Sequence, residues 1–192
     1  MDAPRLPVFQ TFIDQLRDIW AHESDTQTRM EKAMPFLSDL LKDEDLQARS
    51  ETWPSTEGRK NLLFYVDPDY GFAINGVVRI PGRRGSVHDH ASAWVVYGVL
   101  TGTESLERYE RVDDGTSTER ADVKMTSVTV GSSGKVDIVA PWAIHAEQGG
   151  PTRSTAVILR SERMGDITQN QFDLETAAIR PGPGPTQIPF NL

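Results

Sequence analysis

Between residues 60 and 160 the chain is a succession of short β-prone runs cut apart by turns, and this alternation restricts the fold more than any other feature. The runs are Leu62–Val66, Phe72–Ile80, Trp94–Leu100, Ser105–Val112, Val123–Val130, Lys135–Ala140 and Thr155–Arg160. Between them stand DPDYG, PGRRG, TGT, DDGTS, GSSG and GGPT, whose glycines, prolines and aspartates favour the tight bends that extended strands avoid. No helical periodicity intervenes, so the pattern predicts a β-sandwich or barrel rather than βαβ units.

The first fifty residues read differently. In Pro7–Trp20 the residues Val8, Phe9, Phe12, Ile13, Leu16, Ile19 and Trp20 recur at helical spacing and form one apolar stripe. A second stripe over Thr26–Leu41 carries Met30, Met34, Leu37, Leu40 and Leu41, with Ser24, Asp25 and Thr26 as candidate N-caps. Both stripes are read as core-facing. The tail, RPGPGPTQIPFNL, holds four prolines and two glycines. It is expected to be an extended arm laid over the barrel or a neighbour, unable to continue a ladder or helix.

With 192 residues the chain is long enough for one cored domain and short for two. The expected layout is a single domain, 1–192, with helices over 1–50, a barrel over 60–162 and an extended segment over 163–192. A net charge of −8 and the lack of a Lys/Arg-rich patch argue against nucleic-acid binding. No run approaches the length of a membrane span. The segment MDAPRLPVFQ has no basic stretch leading into an apolar one, so no signal peptide is read and the expected location is cytoplasmic. With no cysteine in the chain, any metal must be held by nitrogen and oxygen donors.

Histidine is where chemistry concentrates. Of four histidines, His88 and His90 stand one residue apart in GRRGSVHDH, and His145 lies downstream in APWAIH. On a strand, His88 and His90 share a face and Asp89 points away, which makes Asp89 a supporting acceptor rather than a ligand. His145 would complete a three-histidine site from a later strand; His22, on the helical segment, is read as a surface residue. The plain alternative is two unrelated surface or core histidines and a third elsewhere.

The surrounding spacing resembles the cupin family, whose first motif is Gly-x5-His-x-His-x(3,4)-Glu-x6-Gly. Gly82, His88, His90 and Gly102 hold four of its positions, and Val95 stands at the glutamate position. The second motif, Gly-x5-Pro-x-Gly-x2-His-x3-Asn, is matched by Gly134 and His145. Its proline is displaced to Pro141, with Trp142 at the inner glycine and Gly149 at the final asparagine. The resemblance covers about residues 60–162. It implies an all-β fold, a cupin jelly-roll β-barrel (double-stranded β-helix) behind an N-terminal helical segment. It also implies a metal on three neutral histidines with open coordination positions. A dimer is expected from the family alone.

Three histidines without the glutamate resemble the cysteine dioxygenase group, which holds ferrous iron and adds both atoms of dioxygen to a thiol substrate. VHDH and STAVIL echo that group, and KNLL resembles its Arg-Asn-Leu segment, with Lys60 at the carboxylate-binding arginine and Arg59 beside it. Lysine carries the charge but lacks the two-pronged fork. The group's Ser-x-His-x-Tyr relay is replaced by Ile158, Arg160 and Glu162. Arg160 is then either a clamp for a substrate anion or an ion-pair partner of Glu162 or Asp166.

Strand parity places Val95, Tyr97 and Val99 on one inward face. Tyr97 is a candidate catalytic hydroxyl, or a core tyrosine bonded to a backbone carbonyl. Trp94 and Trp142 are expected to wall the pocket or to be ordinary core aromatics, and Arg79 to reach it from the preceding strand; Arg83 and Arg84 are placed in solvent. Three functions stay open. The first is a Fe(2+) dioxygenase acting with O2 on a small thiol-acid, dicarbonyl or phenolic substrate. The second is a non-redox isomerase, lyase or hydrolase using Zn(2+), Mn(2+) or Ni(2+). The third is a cupin that only binds a small ligand.

Overall fold

In the computed structural model, which describes residues 6–163 and 167–192, three helices precede twelve strands. Helices α1 (Pro7–His22) and α2 (Thr26–Leu40) bury the stripes read from the sequence. A third, α3 (Glu44–Ser50), is a separate short helix. Asp25 and Asp43 cap α2 and α3 by accepting from the amides of Thr28 and Leu46, each at 2.8 Å, which satisfies donors that a helix start leaves free. No described helix is long and apolar enough to cross a membrane.

The strands are β1 (Lys60–Val66), β2 (Ala73–Arg79), β3 (Val87–His88), β4 (Val95–Thr101), β5 (Thr103–Arg111) and β6 (Val123–Ser132). They continue as β7 (Val136–Val139), β8 (Ile144–Gly149), β9 (Ser154–Arg160), β10 (Thr168–Phe172), β11 (Ile179–Pro183) and β12 (Thr186–Pro189). Two six-stranded sheets form, in the orders β12-β1-β2-β9-β4-β7 and β11-β10-β3-β8-β5-β6. Pairing is antiparallel throughout except for β12 on β1. The chain passes repeatedly from one sheet to the other, and the result is a jelly-roll β-barrel of two facing sheets.

The first sheet is buried on both faces. Leu62, Phe64, Ile74, Val78, Val96, Leu100, Val157 and Leu159 pack with the helices. The alternate residues Val77, Val95, Tyr97, Val99, Ala156 and Ile158 pack between the sheets with Leu106 of the second sheet. Double burial explains why β2, β4 and β9 read as continuous apolar runs. The helices approach closely because Gly98 has no side chain: a Cβ there would lie 2.5 Å from Leu41 Cδ1 and 3.2 Å from Leu37 Cδ2.

The tail corrects one expectation. Its prolines do not keep it out of the ladder; they put it at the margins. β11 and β12 are the outermost strands of the two sheets, where a residue without an N–H leaves no inner ladder bond unmade. The described tail, residues 167–192, is thus integral to both sheets, and Leu192 joins the helical core. β8 is the later strand expected to carry His145; β3, only two residues long, and the short elements α3 and β10 have no counterpart among the runs read from the sequence.

Replacing Gly98 with valine should overpack the helix–sheet seam. A loss of about 1–3 kcal/mol is expected, read as a lower urea midpoint at unchanged slope; full stability would show that the seam yields without strain.

Candidate metal centre

Register brings the first pair of histidines together. β3 and β8 run antiparallel with His88 directly opposite His145, a position where side chains on one face touch. His90 lies beyond the end of β3, so strand parity does not place it. Instead the chain turns at Ala91, whose φ is +48°, and Asp89 pins the turn. Its buried carboxylate accepts from the amides of Ala91 (3.1 Å) and Asn170 (3.0 Å) and from Asn170 Nδ2 (2.9 Å). Asp89 therefore has the supporting role read for it. The three imidazole rings lie 4.5–4.8 Å apart, centre to centre.

Two ring orientations are settled by backbone carbonyls, which can only accept. His88 Nδ1 donates to Ser86 O at 2.9 Å and His145 Nδ1 to Ala143 O at 2.8 Å. Each then presents its Nε2 lone pair. Nε2 of His145 and Nε2 of His90 face each other at 3.2 Å, and His90 Nδ1 is buried without a partner. Convergent nitrogen lone pairs fit a divalent cation held between them.

The expected shell of three neutral histidines is incomplete. Glu147 joins the cluster, its Oε1 3.5 Å from His145 Nε2 and its Oε2 4.0 Å from His88 Nε2; ligand-type atoms of all four residues lie within 4.8 Å of one another. Val95 does leave the usual glutamate position empty, but a carboxylate enters from another strand. Parity on β8 could have revealed it, since His145 and Glu147 are two residues apart and share the inward face.

Burial shapes the titration of these groups. It is the main cause that pushes His88 down to about 4, reinforced by neighbouring His145. Burial first, and then the charge of Arg160, hold His90 well below its ordinary value. Burial alone would raise Glu147, but the hydrogen bond and charge of His145, with His88 and Arg79, bring it well below the usual carboxylate range. These shifts favour neutral His88 and His90 beside an ionised Glu147, the protonation states in which such groups bind metals.

A cavity of about 110 Å³ opens beside the cluster, lined by His88, His90 and Glu147 and reaching the surface at Arg59 and Lys60. Of the other candidate residues, Arg79, Lys60 and Arg160 line it. Arg79 bridges two carboxylates, Glu104 at 3.2 Å and Glu147 at 3.8 Å. Tyr97 faces the same interior as Val95, but its hydroxyl donates to Glu104, and Tyr97 is not among the residues that line the cavity. Trp94 packs on the helical side of its sheet. Trp142 is 59% exposed on the far side of β8, in a left-handed conformation with φ of +60°. The backbone at position 142 keeps the shape the motif's glycine would adopt, although its side chain is bulky. Neither tryptophan walls the cavity. Arg83, expected in solvent, is half-buried at the cavity edge, while Arg84 projects outward and pairs with Glu107 at 3.0 Å. His22 lies on the exposed face of α1.

Two outcomes follow. Glu147→Ala should weaken divalent-metal binding by roughly ten- to a hundredfold or more, measured by competition with a chromophoric chelator; unchanged affinity would exclude Glu147 as a ligand. In chelator-treated protein His88 titrates below the unfolded value of 6.5, so stability is full above 6.5 and falls as pH drops toward about 4. His88→Gln should flatten that slope in urea melts taken across the interval.

No family model matches the chain. Among solved structures it is similar to KdgF from Halomonas sp., with 17% identity, 62% of this chain and 92% of that one covered, and a TM-score of 0.46. It is also similar to a conserved double-stranded β-helix protein from Klebsiella pneumoniae subsp. pneumoniae (17%, 58% and 79%, TM-score 0.40) and to the cupin domain of Schizosaccharomyces pombe Cnp3 (10%, 54% and 60%, TM-score 0.42). The match to an oxalate oxidase spans 56% of that chain's length. The jelly-roll architecture follows from the chain's own strand order and register.

Proposed function

We propose that this protein is a non-haem iron(II) dioxygenase acting on a small chelating substrate, with His88, His90, His145 and Glu147 as the ligands. The observation that carries the reading is the convergence of four ligand-type side chains, three of which, His88, His90 and Glu147, line a cavity that reaches solvent. A purely structural site would be enclosed by its own ligands. Imidazole nitrogen with one carboxylate oxygen suits iron(II), and also manganese(II) or zinc(II), better than it suits a thiophilic ion. Iron bound there would supply Lewis acidity and a redox-active centre through which the substrate's own electrons reach dioxygen.

The chain's own contribution is orientation and charge. Backbone carbonyls of Ser86 and Ala143 hold two imidazoles in one tautomer, and Arg79 steadies the Glu147 carboxylate. Val77 and Ile158 supply the apolar part of the wall. A benzene-sized ligand fills a cavity of about 150 Å³, so the room of about 110 Å³ favours a small thiol-acid or dicarbonyl over a phenolic compound. Ile158 and Glu162, at two positions of the thiol dioxygenase relay, provide no serine or tyrosine hydroxyl. Sulfur chemistry, if it is the reaction, proceeds without that relay.

Metal analysis of purified protein, followed by oxygen-electrode traces with thiol-acid and diketone panels, tests the proposal. Iron together with substrate-dependent oxygen uptake, abolished in His145→Ala, is the expected result. Zinc at full occupancy with no oxygen uptake would sink it and leave a non-redox isomerase, lyase or hydrolase at the same centre.

A further inference from the structure

Arg160 is charged and buried without a direct ion pair, although the charge of Glu147 across the cavity favours its ionised form. Its residue is 3% exposed, yet no ion pair ties it to a carboxylate among the described residues. Of the two partners its sequence context suggested, Glu162 instead accepts from Ser92 Oγ at 3.0 Å, and Asp166 lies outside the described residues. What holds the guanidinium is a pair of neutral amides on neighbouring strands. Nε donates to Asn75 Oδ1 at 3.3 Å, and Nη2 donates to the Asn61 side-chain oxygen at 3.2 Å in the amide orientation that satisfies both groups. Nη1 is buried and has no partner at all.

A buried guanidinium used only as a brace is normally matched by a carboxylate, because an uncompensated charge in a protein interior is costly. Asn61 and Asn75 instead fix its orientation while leaving its charge intact. Burial pulls Arg160 down to about 10, so it remains protonated at neutral pH. The cavity it lines also gathers Arg59, Lys60, Arg79 and Arg83, with Glu147 as the lone carboxylate among its lining residues. In a chain of net charge −8, such a wall inverts the sign of the surroundings and favours an anion. A second orphan faces the same space from the other sheet: Gln169 on β10, whose buried Oε1 accepts nothing.

We propose that Arg160 anchors a carboxylate subsite, and that the ligand of this cavity is a small organic acid whose second polar group donates to Gln169. The assignment rests on the proposed centre for the ligand's conversion but not for its binding, so the two fail separately. By the benzene comparison the cavity encloses about four non-hydrogen atoms, a carboxylate with its first carbons, with the mouth free to admit the rest of a three-carbon acid or a longer tail. A bidentate grip through the free edge of the guanidinium suits a planar carboxylate better than a tetrahedral anion.

The test uses the full chain after chelator treatment, titrated with propionate, lactate, lactamide and inorganic phosphate under ligand-observed NMR. Lactate should bind more tightly than propionate, and lactamide and phosphate should bind weakly. Arg160→Gln and Arg160→Met should each lower lactate affinity by roughly ten- to a hundredfold. Gln169→Leu should remove only lactate's advantage over propionate. Arg160→Met guards against misfolding, because removing an unpaired buried charge should leave the melting temperature equal or higher. Equal binding of lactate and lactamide, tighter binding of phosphate, or wild-type affinity in a folded Arg160→Met protein would overturn the proposal. If lactate binds through Arg160 while the protein holds no iron, the subsite stands and the dioxygenase reading falls.

Discussion

Everything in this molecule depends on where the apolar free energy is placed. The large core lies outside the barrel, between the N-terminal helices and the outer face of the first sheet, where Phe9, Phe12, Leu16, Met30 and Leu37 meet Leu62, Ile74, Val96 and Leu159. The cluster between the sheets is much smaller. Because the outer seam carries the burden of burial, the space between the sheets is free to hold charge. Without the helices, the residues that face them on β1, β2, β4 and β9 would be bare, and the interior would have to be apolar to compensate.

That interior is organised as a ladder of opposite charges rather than a scatter of polar groups. Glu104, its carboxyl raised chiefly by burial, accepts from Ser154 Oγ at 2.7 Å and from Tyr97. Arg79 spans from Glu104 to Glu147 and also lies over the Tyr97 ring, 5.6 Å from its centre. Glu147 in turn reaches the histidines. Tyr97 is thus connected to the candidate metal centre only through Glu104 and Arg79, which makes it a positioning residue at most.

The sequence displayed the frame of this site more clearly than its contents. Helical stripes, turn spacing and the Gly82–Gly102 motif were legible because each reflects one element's own geometry. What stayed hidden depends on two elements meeting. Glu147 carries no signal of its own in IHAEQG until β8 is known to turn that face inward. Trp94 and Trp142 flank ligand segments in sequence, but one lies on the opposite face of its sheet and the other beyond the barrel. The tail was misjudged for a related reason. A proline forbids a central strand, yet whether a strand is central is decided by its neighbours and not by its own residues.

The placement of that tail also gives the fold a temporal order. β12 pairs with β1, and β10 pairs with β3 beside His88. Both close elements that leave the ribosome far earlier. Pro185 and Gln169 line the cavity as well. During synthesis the cavity wall stays open until the segment following Ile167 has been made. Such long-range closure slows folding. It also means that a chain interrupted before this segment would lack the strand that flanks β3 at His88 and part of the cavity wall.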